Sequence, residues 1–158
     1  MKLKIKRINN GQLPNRAYQY DAGWDCFANE SVVLPPLRYM SGYADNHTLD
    51  ELRNDAIPTI KVPLGFAMEL PPGYVAILKD RGSLGSKGIH VSAGVCDAAY
   101  RGEYLACLTN HTSHPIQINK GDKIIQMIIL KLPETEIEEV EELGPSERGE
   151  QGFGSSGG

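Results

Sequence analysis

Apolar residues along this chain recur in short runs of Val, Ile and Leu broken by turn-forming residues, with no long stretch at helical spacing. The runs are KLKIKRI, ESVVLPP, TIKVPLGFAMELPPG, YVAILKDRG, GIHVSAGV, EYLACLTN, PIQINKGD and KIIQMIILKLP. β-branched residues suit a pleated, half-buried surface, and the PP, PPG, GSKG and NKGD punctuation marks the reversals between strands. Strands so spaced predict an all-β fold, a barrel or jelly-roll type of architecture, rather than alternating βαβ units. Only Thr48 to Asn54 (TLDELRN) has helical character, with Thr48 as N-cap and Glu51 at the capping-box position, and it predicts a short helix decorating a loop. No internal repeat and no second domain is legible.

Composition narrows the function. The 158 residues are 41% hydrophobic and 23% charged, with a net charge of -4 and a pI near 5.6. Such a chain has no basic face for neutralising a nucleic-acid backbone, although a local cation cluster can still hold a small anion. No apolar run approaches the ~20 residues of a membrane span, and MKLKIKRINN lacks the apolar core of a signal peptide, which predicts a cytoplasmic protein. Cys26, Cys96 and Cys107 are an odd set without CxxC spacing and predict buried thiols rather than disulfides or a zinc site. His111 and His114 lie in the turn-like NHTSHP without acidic or cysteine company, a poor metal-ligand set.

The stretch RGSLGSKGIHVSAGVCDAAYRGE, Arg81 to Glu103, joins a glycine-rich turn carrying Arg, Ser and Lys to a strand ending in a carboxylate and a tyrosine. Exposed main-chain N–H groups, hydroxyls and a guanidinium are what a polyphosphate requires. Taken alone, the turn reads more readily as a hairpin loop, and Asp97 equally as a turn aspartate and Tyr100 as a strand-end aromatic.

Five stretches together carry a resemblance. AGWDCFA, DRGSLGSKG, AGVCDAAYRGE, GDKIIQMIILKL and RGEQGFGSSG stand in the order and approximate spacing of the five motifs of the trimeric dUTPases. The resemblance spans residues 1–158 as a single domain, interrupted by an insertion over about 38–59 and ending in a mobile arm over about 145–158. It implies a homotrimer of distorted jelly-roll subunits with exchanged C-terminal arms, hydrolysing dUTP to dUMP and pyrophosphate. Such an enzyme limits uracil in DNA and supplies dUMP for dTMP synthesis. Mg2+ would be bound through the substrate phosphates and water, with Asp25 and Gln126 as outer-shell candidates and no direct protein ligand.

By the same resemblance Asp97 is the base that deprotonates the water attacking the α-phosphorus, a role typically supplying ~10²- to 10⁴-fold. Tyr100 packs beneath the deoxyribose and excludes a 2'-hydroxyl. Main-chain groups near Gly94, Val95, Cys96 and Leu105 read uracil and reject the reversed donor pattern of cytosine. Arg81, Gly82, Ser83 and Gln126 match phosphate-binding positions.

The tail SERGEQGFGSSGG has the composition of a flexible linker, yet Arg148 and Phe153 have no use in a spacer. The resemblance makes it an arm closing over a neighbouring site, with Phe153 stacked on uracil, Arg148 on phosphate, and Gly154, Ser155 and Ser156 at the terminal phosphate.

Departures from the family pattern are informative. Gly82 replaces the usual serine of Arg-Ser-Ser or Arg-Ser-Gly, and removing one transition-state donor costs about 2.7–4 kcal/mol. Ala99 replaces a second acid, and Cys96 replaces Ile. Among rivals, a dCTP deaminase needs a glutamate where Cys107 stands, and an all-α pyrophosphatase needs facing acidic helices where this chain has one acidic run, EIEEVEEL, followed by Gly144-Pro145. A third reading is a nucleotide-sensing or protein-binding module, with a partner on the 38–59 insertion through Tyr39, Met40 and Tyr43; a tolerated loop insertion is the plainer account.

Overall fold

The computed structural model describes residues 2–37 and 58–152. Residues 38–57 of the insertion, with the helix expected over Thr48 to Asn54, and Phe153, Gly154, Ser155 and Ser156 lie outside the described residues. Among the described residues eleven strands and one helical turn follow in order: β1 (Lys4–Arg7), β2 (Trp24–Phe27), β3 (Val32–Leu34), β4 (Thr59–Pro63), β5 (Phe66–Glu69), β6 (Tyr74–Asp80), α1 (Gly82–Gly85), β7 (Ile89–Ser92), β8 (Val95–Asp97), β9 (Leu105–Asn110), β10 (Ile116–Ile118) and β11 (Lys123–Lys131). The all-β expectation holds.

Every strand pairing among the described residues is antiparallel. Four small sheets result, in the orders β1-β5, β10-β3, β2-β11-β6-β8 and β4-β9-β7. Strand β11 is central, flanked by β2 and β6. Its sequence, KIIQMIILK, accordingly reads as a nearly continuous apolar run, with Ile124, Ile125 and Met127 fully buried. Those side chains join Leu34, Val62, Leu64, Phe66, Leu78, Tyr104 and Leu108 in one core.

Two apolar runs that read as single strands are each divided by backbone that side chains rarely adopt. TIKVPLGFAMEL breaks into β4 and β5 at Gly65, where φ is +73° and a Cβ would lie 2.4 Å from Gly11 Cα. GIHVSAGV breaks into β7 and β8 at Ala93 and Gly94, with φ of 65° and 106°. The second break lets one run serve two sheets: β7 pairs with β9, and β8 pairs with β6. Strand β2 was not among the apolar runs, since its WDCF carries the buried Asp25.

Three further expectations are sharpened. Only Cys26 is buried; Cys96 and Cys107 are half-buried, because each stands beside the open hairpin rather than in the core. The acidic run is neither strand nor helix, and Ile137 and Leu143 are fully or almost fully exposed. NHTSHP is organised by buried Asn110, whose amide donates to the Leu34 and His114 carbonyls while its oxygen accepts from Thr112.

Candidate active site

The break at Gly94 shapes a cavity of about 220 Å³. Gly94, Val95, Cys96, Asp97, Tyr100 and Leu105, all singled out from the sequence, line it together. Leu78 N–H donates to the Gly94 carbonyl at 2.8 Å, and a Cβ on Gly94 would stand 2.6 Å from the Leu78 carbonyl oxygen, so only glycine admits this approach. Asp97 ends β8, and its carbonyl accepts from Tyr100 N–H at 3.0 Å in the turn that follows. The half-exposed Tyr100 ring is held by its hydroxyl donating to the Glu103 carbonyl at 3.0 Å. Gly102 is required beneath it, since a Cβ there would lie 2.4 Å from that hydroxyl oxygen. Burial pushes the Cys96 thiol up to about 11, with the neighbouring Asp97 and Cys107 adding to the effect. Cys96 is therefore a small apolar wall, not a nucleophile.

A second group forms at the other end of β6. Arg81 Nε donates to Asp25 Oδ1 at 3.1 Å, and its Nη1 donates to Ser83 Oγ at 2.9 Å. Lys123 Nζ donates to Asp25 Oδ2 at 2.8 Å, and Gln126 Nε2 lies 3.4 Å from Oδ1. Burial alone would raise the Asp25 carboxyl, but the hydrogen bonds from Lys123, Arg81 and Gln126 outweigh it and hold it below the usual range. Asp25 thus fastens Arg81, which precedes the Gly82–Gly85 turn, together with Lys123 at the start of β11. Gly82 has nothing within 4 Å of where a Cβ would stand, so it faces open space.

The expected site residues accordingly fall into two groups. Asp97 pairs with Val75 at the start of β6, whereas Arg81 follows its end. Seven residues of strand at about 3.3 Å each separate them by roughly 20 Å within one chain. Arg148 joins neither: its described hydrogen bonds run to the Gln151 and Gly152 carbonyls of its own exposed turn.

Sequence reasoning passed over two participants. Lys123 lies inside the quoted GDKIIQMIILKL, but its pairing with a carboxylate 98 positions earlier depends on β2 meeting β11. Tyr104 lines the cavity and reads in EYLACLTN as one more strand residue.

For Mg2+, the donor set fits outer-sphere contact only. Among the described residues no group of three or more His, Cys, Asp or Glu is placed to hold a metal ion, and both Asp25 oxygens already accept from cations. A hard, strongly hydrated cation carried by phosphates needs no more than water-mediated acceptors from the protein.

Known proteins similar to this chain share one name. The chain is 36% identical over 150 residues to the deoxyuridine 5'-triphosphate nucleotidohydrolase of Gloeobacter violaceus, covering 92% of this chain and 88% of that one. It is 35% identical over 159 residues to the enzyme of the same name from Clostridioides difficile, covering 98% and 97%. Among solved structures, the Staphylococcus bacteriophage 80alpha dUTPase with dUPNHPP superposes with a TM-score of 0.80 at 27% identity, covering 99% and 98%. With residues 51–157 also matching the dUTPase family model, the chain belongs to the dUTPase family.

Proposed function

We propose that this protein hydrolyses dUTP to dUMP and pyrophosphate as a cytoplasmic homotrimer, with each active site assembled from more than one subunit. Family membership supports the reaction. The assembly is supported by the separation of the candidate base from the phosphate-type donors: Asp97 pairs with Val75 at the start of β6, whereas Arg81 follows its end, roughly 20 Å of strand away.

In the assembled site, uracil enters the hairpin opened at Gly94 and is read by main-chain groups there and at Leu105. Tyr100 lies under the deoxyribose, where a 2'-hydroxyl would collide with the ring. Asp97 takes the proton of the water that attacks the α-phosphorus. Arg81, Ser83 and Gln126 of a second subunit, fastened through Asp25, hold the phosphates in line, so their alignment costs no reorganisation at the moment of reaction. Asp25 and Gln126 would hold a hydrated Mg2+ through water, and the ion when bound would supply neutralisation of the triphosphate charge. The chain works as a single domain whose arm from about residue 145 onward closes over a neighbouring site. There Arg148 meets phosphate, Phe153 stacks on the base, and Gly154, Ser155 and Ser156 approach the terminal phosphate.

Pyrophosphate release from dUTP, dCTP, dTTP and UTP in the presence of Mg2+ tests the reaction. The expected result is turnover of dUTP alone; equal turnover of UTP would remove the role given to Tyr100. Light scattering after size exclusion tests the assembly, and a strictly monomeric active enzyme would overturn it.

A further inference from the structure

Tyr104 heads the fully buried side chains of the core by size, at 1% exposure, yet it also lines the nucleoside cavity. Its ring stacks on Phe66 with centroids 5.2 Å apart and stands 5.8 Å from the Tyr100 ring. Its backbone is tied on both sides, N–H to the Phe66 carbonyl at 2.9 Å and carbonyl from Leu64 N–H at 3.0 Å. Against this tight placement, its hydroxyl oxygen is buried and makes no hydrogen bond among the described residues.

A buried hydroxyl without a partner weakens the fold, and phenylalanine would fill the same ring volume without that cost. The hydroxyl therefore has no use to the empty subunit. Burial pushes the phenol up to about 12, with Cys96 and Tyr100 adding to the rise. It is protonated at neutral pH and can donate. Its ring lies beside that of Tyr100, and both residues line the cavity.

We infer that Tyr104 is a nucleotide-binding residue whose hydroxyl donates a hydrogen bond to an acceptor atom of the nucleotide in this cavity. Tyr104 has this role only where the cavity takes a deoxyuridine nucleotide, as proposed above. The hydroxyl is then unsatisfied in the free protein and satisfied in the complex, so the two states respond to its removal with opposite sign.

Tyr104→Phe keeps both ring contacts and deletes only the donor. Without nucleotide, the variant is expected to melt about 2–4 °C above the parent, since an unsatisfied buried group is gone. With dUTP, KM is expected to rise about two- to tenfold, and dUMP affinity to fall in step, while kcat stays within about twofold. A lower melting temperature would overturn the inference, because the hydroxyl would then be bonded within the protein. An unchanged KM and dUMP affinity would also overturn it. Turnover of dUTP by the parent chain is measured separately and decides the proposed reaction, whereas the melting shift is read with no nucleotide present, so the two failures are distinguishable.

Discussion

Arg81 Nε donates to Asp25 Oδ1 at 3.1 Å, joining the residue that follows β6 to a carboxylate in β2 that is 5% exposed. The same carboxylate accepts from Lys123 at 2.8 Å. One buried anion thus holds two partly exposed cations at fixed positions, and the Arg81 guanidinium inherits its aim from the core. An arginine on an open loop would lose that orientation to side-chain entropy.

Asp25→Ala should therefore weaken both stability and substrate binding. Loss of the charge-assisted hydrogen bonds is expected to cost about 1.5–3 kcal/mol in urea unfolding, and KM for dUTP should rise as Arg81 and Lys123 lose their anchor. A variant as stable as the parent would show that the pairs contribute nothing net.

Acid should act through the same group. The folded-state pKa of Asp25 lies below its usual 3.8, as does that of Asp80, whose carboxylate accepts from His90 and from Val91 N–H. A depressed folded pKa contributes stability that is complete above the unfolded value and is lost as pH falls through the folded one. Melting temperature is expected to hold down to about pH 4 and to fall below it, and less steeply so in Asp25→Asn.

The separation of Asp97 from Arg81 along β6 predicts complementation between subunits. Asp97→Asn should lose about 10²- to 10⁴-fold in kcat, and Arg81→Ala should lose phosphate alignment. Refolded together in equal amounts, the two inactive variants are expected to recover about a quarter of parent activity, because one site in four would draw Asp97 from one parent and Arg81 from the other. Recovery of nothing would mean that each site is built within one chain.

Gly82→Ser places a hydroxyl where a Cβ meets open space, at the first position of the α1 turn. Folding should be undisturbed, with stability unchanged or slightly raised as a flexible residue is replaced. A further donor at the phosphates is expected to raise kcat severalfold, within the ~10²-fold or more that one transition-state donor supplies. An unchanged kcat would show that Ser83, held by Arg81 at 2.9 Å, already does this work.

Gly94→Ala tests the hairpin itself. Its φ of 106° and the 2.6 Å approach to the Leu78 carbonyl oxygen leave no room for a methyl group. A loss of about 2–3 kcal/mol in thermal or urea unfolding is expected, together with loss of dUMP binding as the cavity mouth shifts. A stable, nucleotide-binding variant would show that the break between β7 and β8 is not required.

The sequence alone determined the all-β class, because strand periodicity and turn chemistry are local, and it named Asp97, Tyr100, Arg81 and the glycines between them, because motif order survives in one dimension. It could not divide TIKVPLGFAMEL or GIHVSAGV, since apolar runs look alike whether they serve one sheet or two; the positive φ at Gly65 and Gly94 exists only once the sheets are stacked. Nor could it pair Asp25 with Lys123, 98 positions away, or leave the Tyr104 hydroxyl buried without a partner among the described residues. Those are consequences of which strands become neighbours. Neighbourhood is decided by burial of the whole core at once, whereas the strand signal is decided residue by residue.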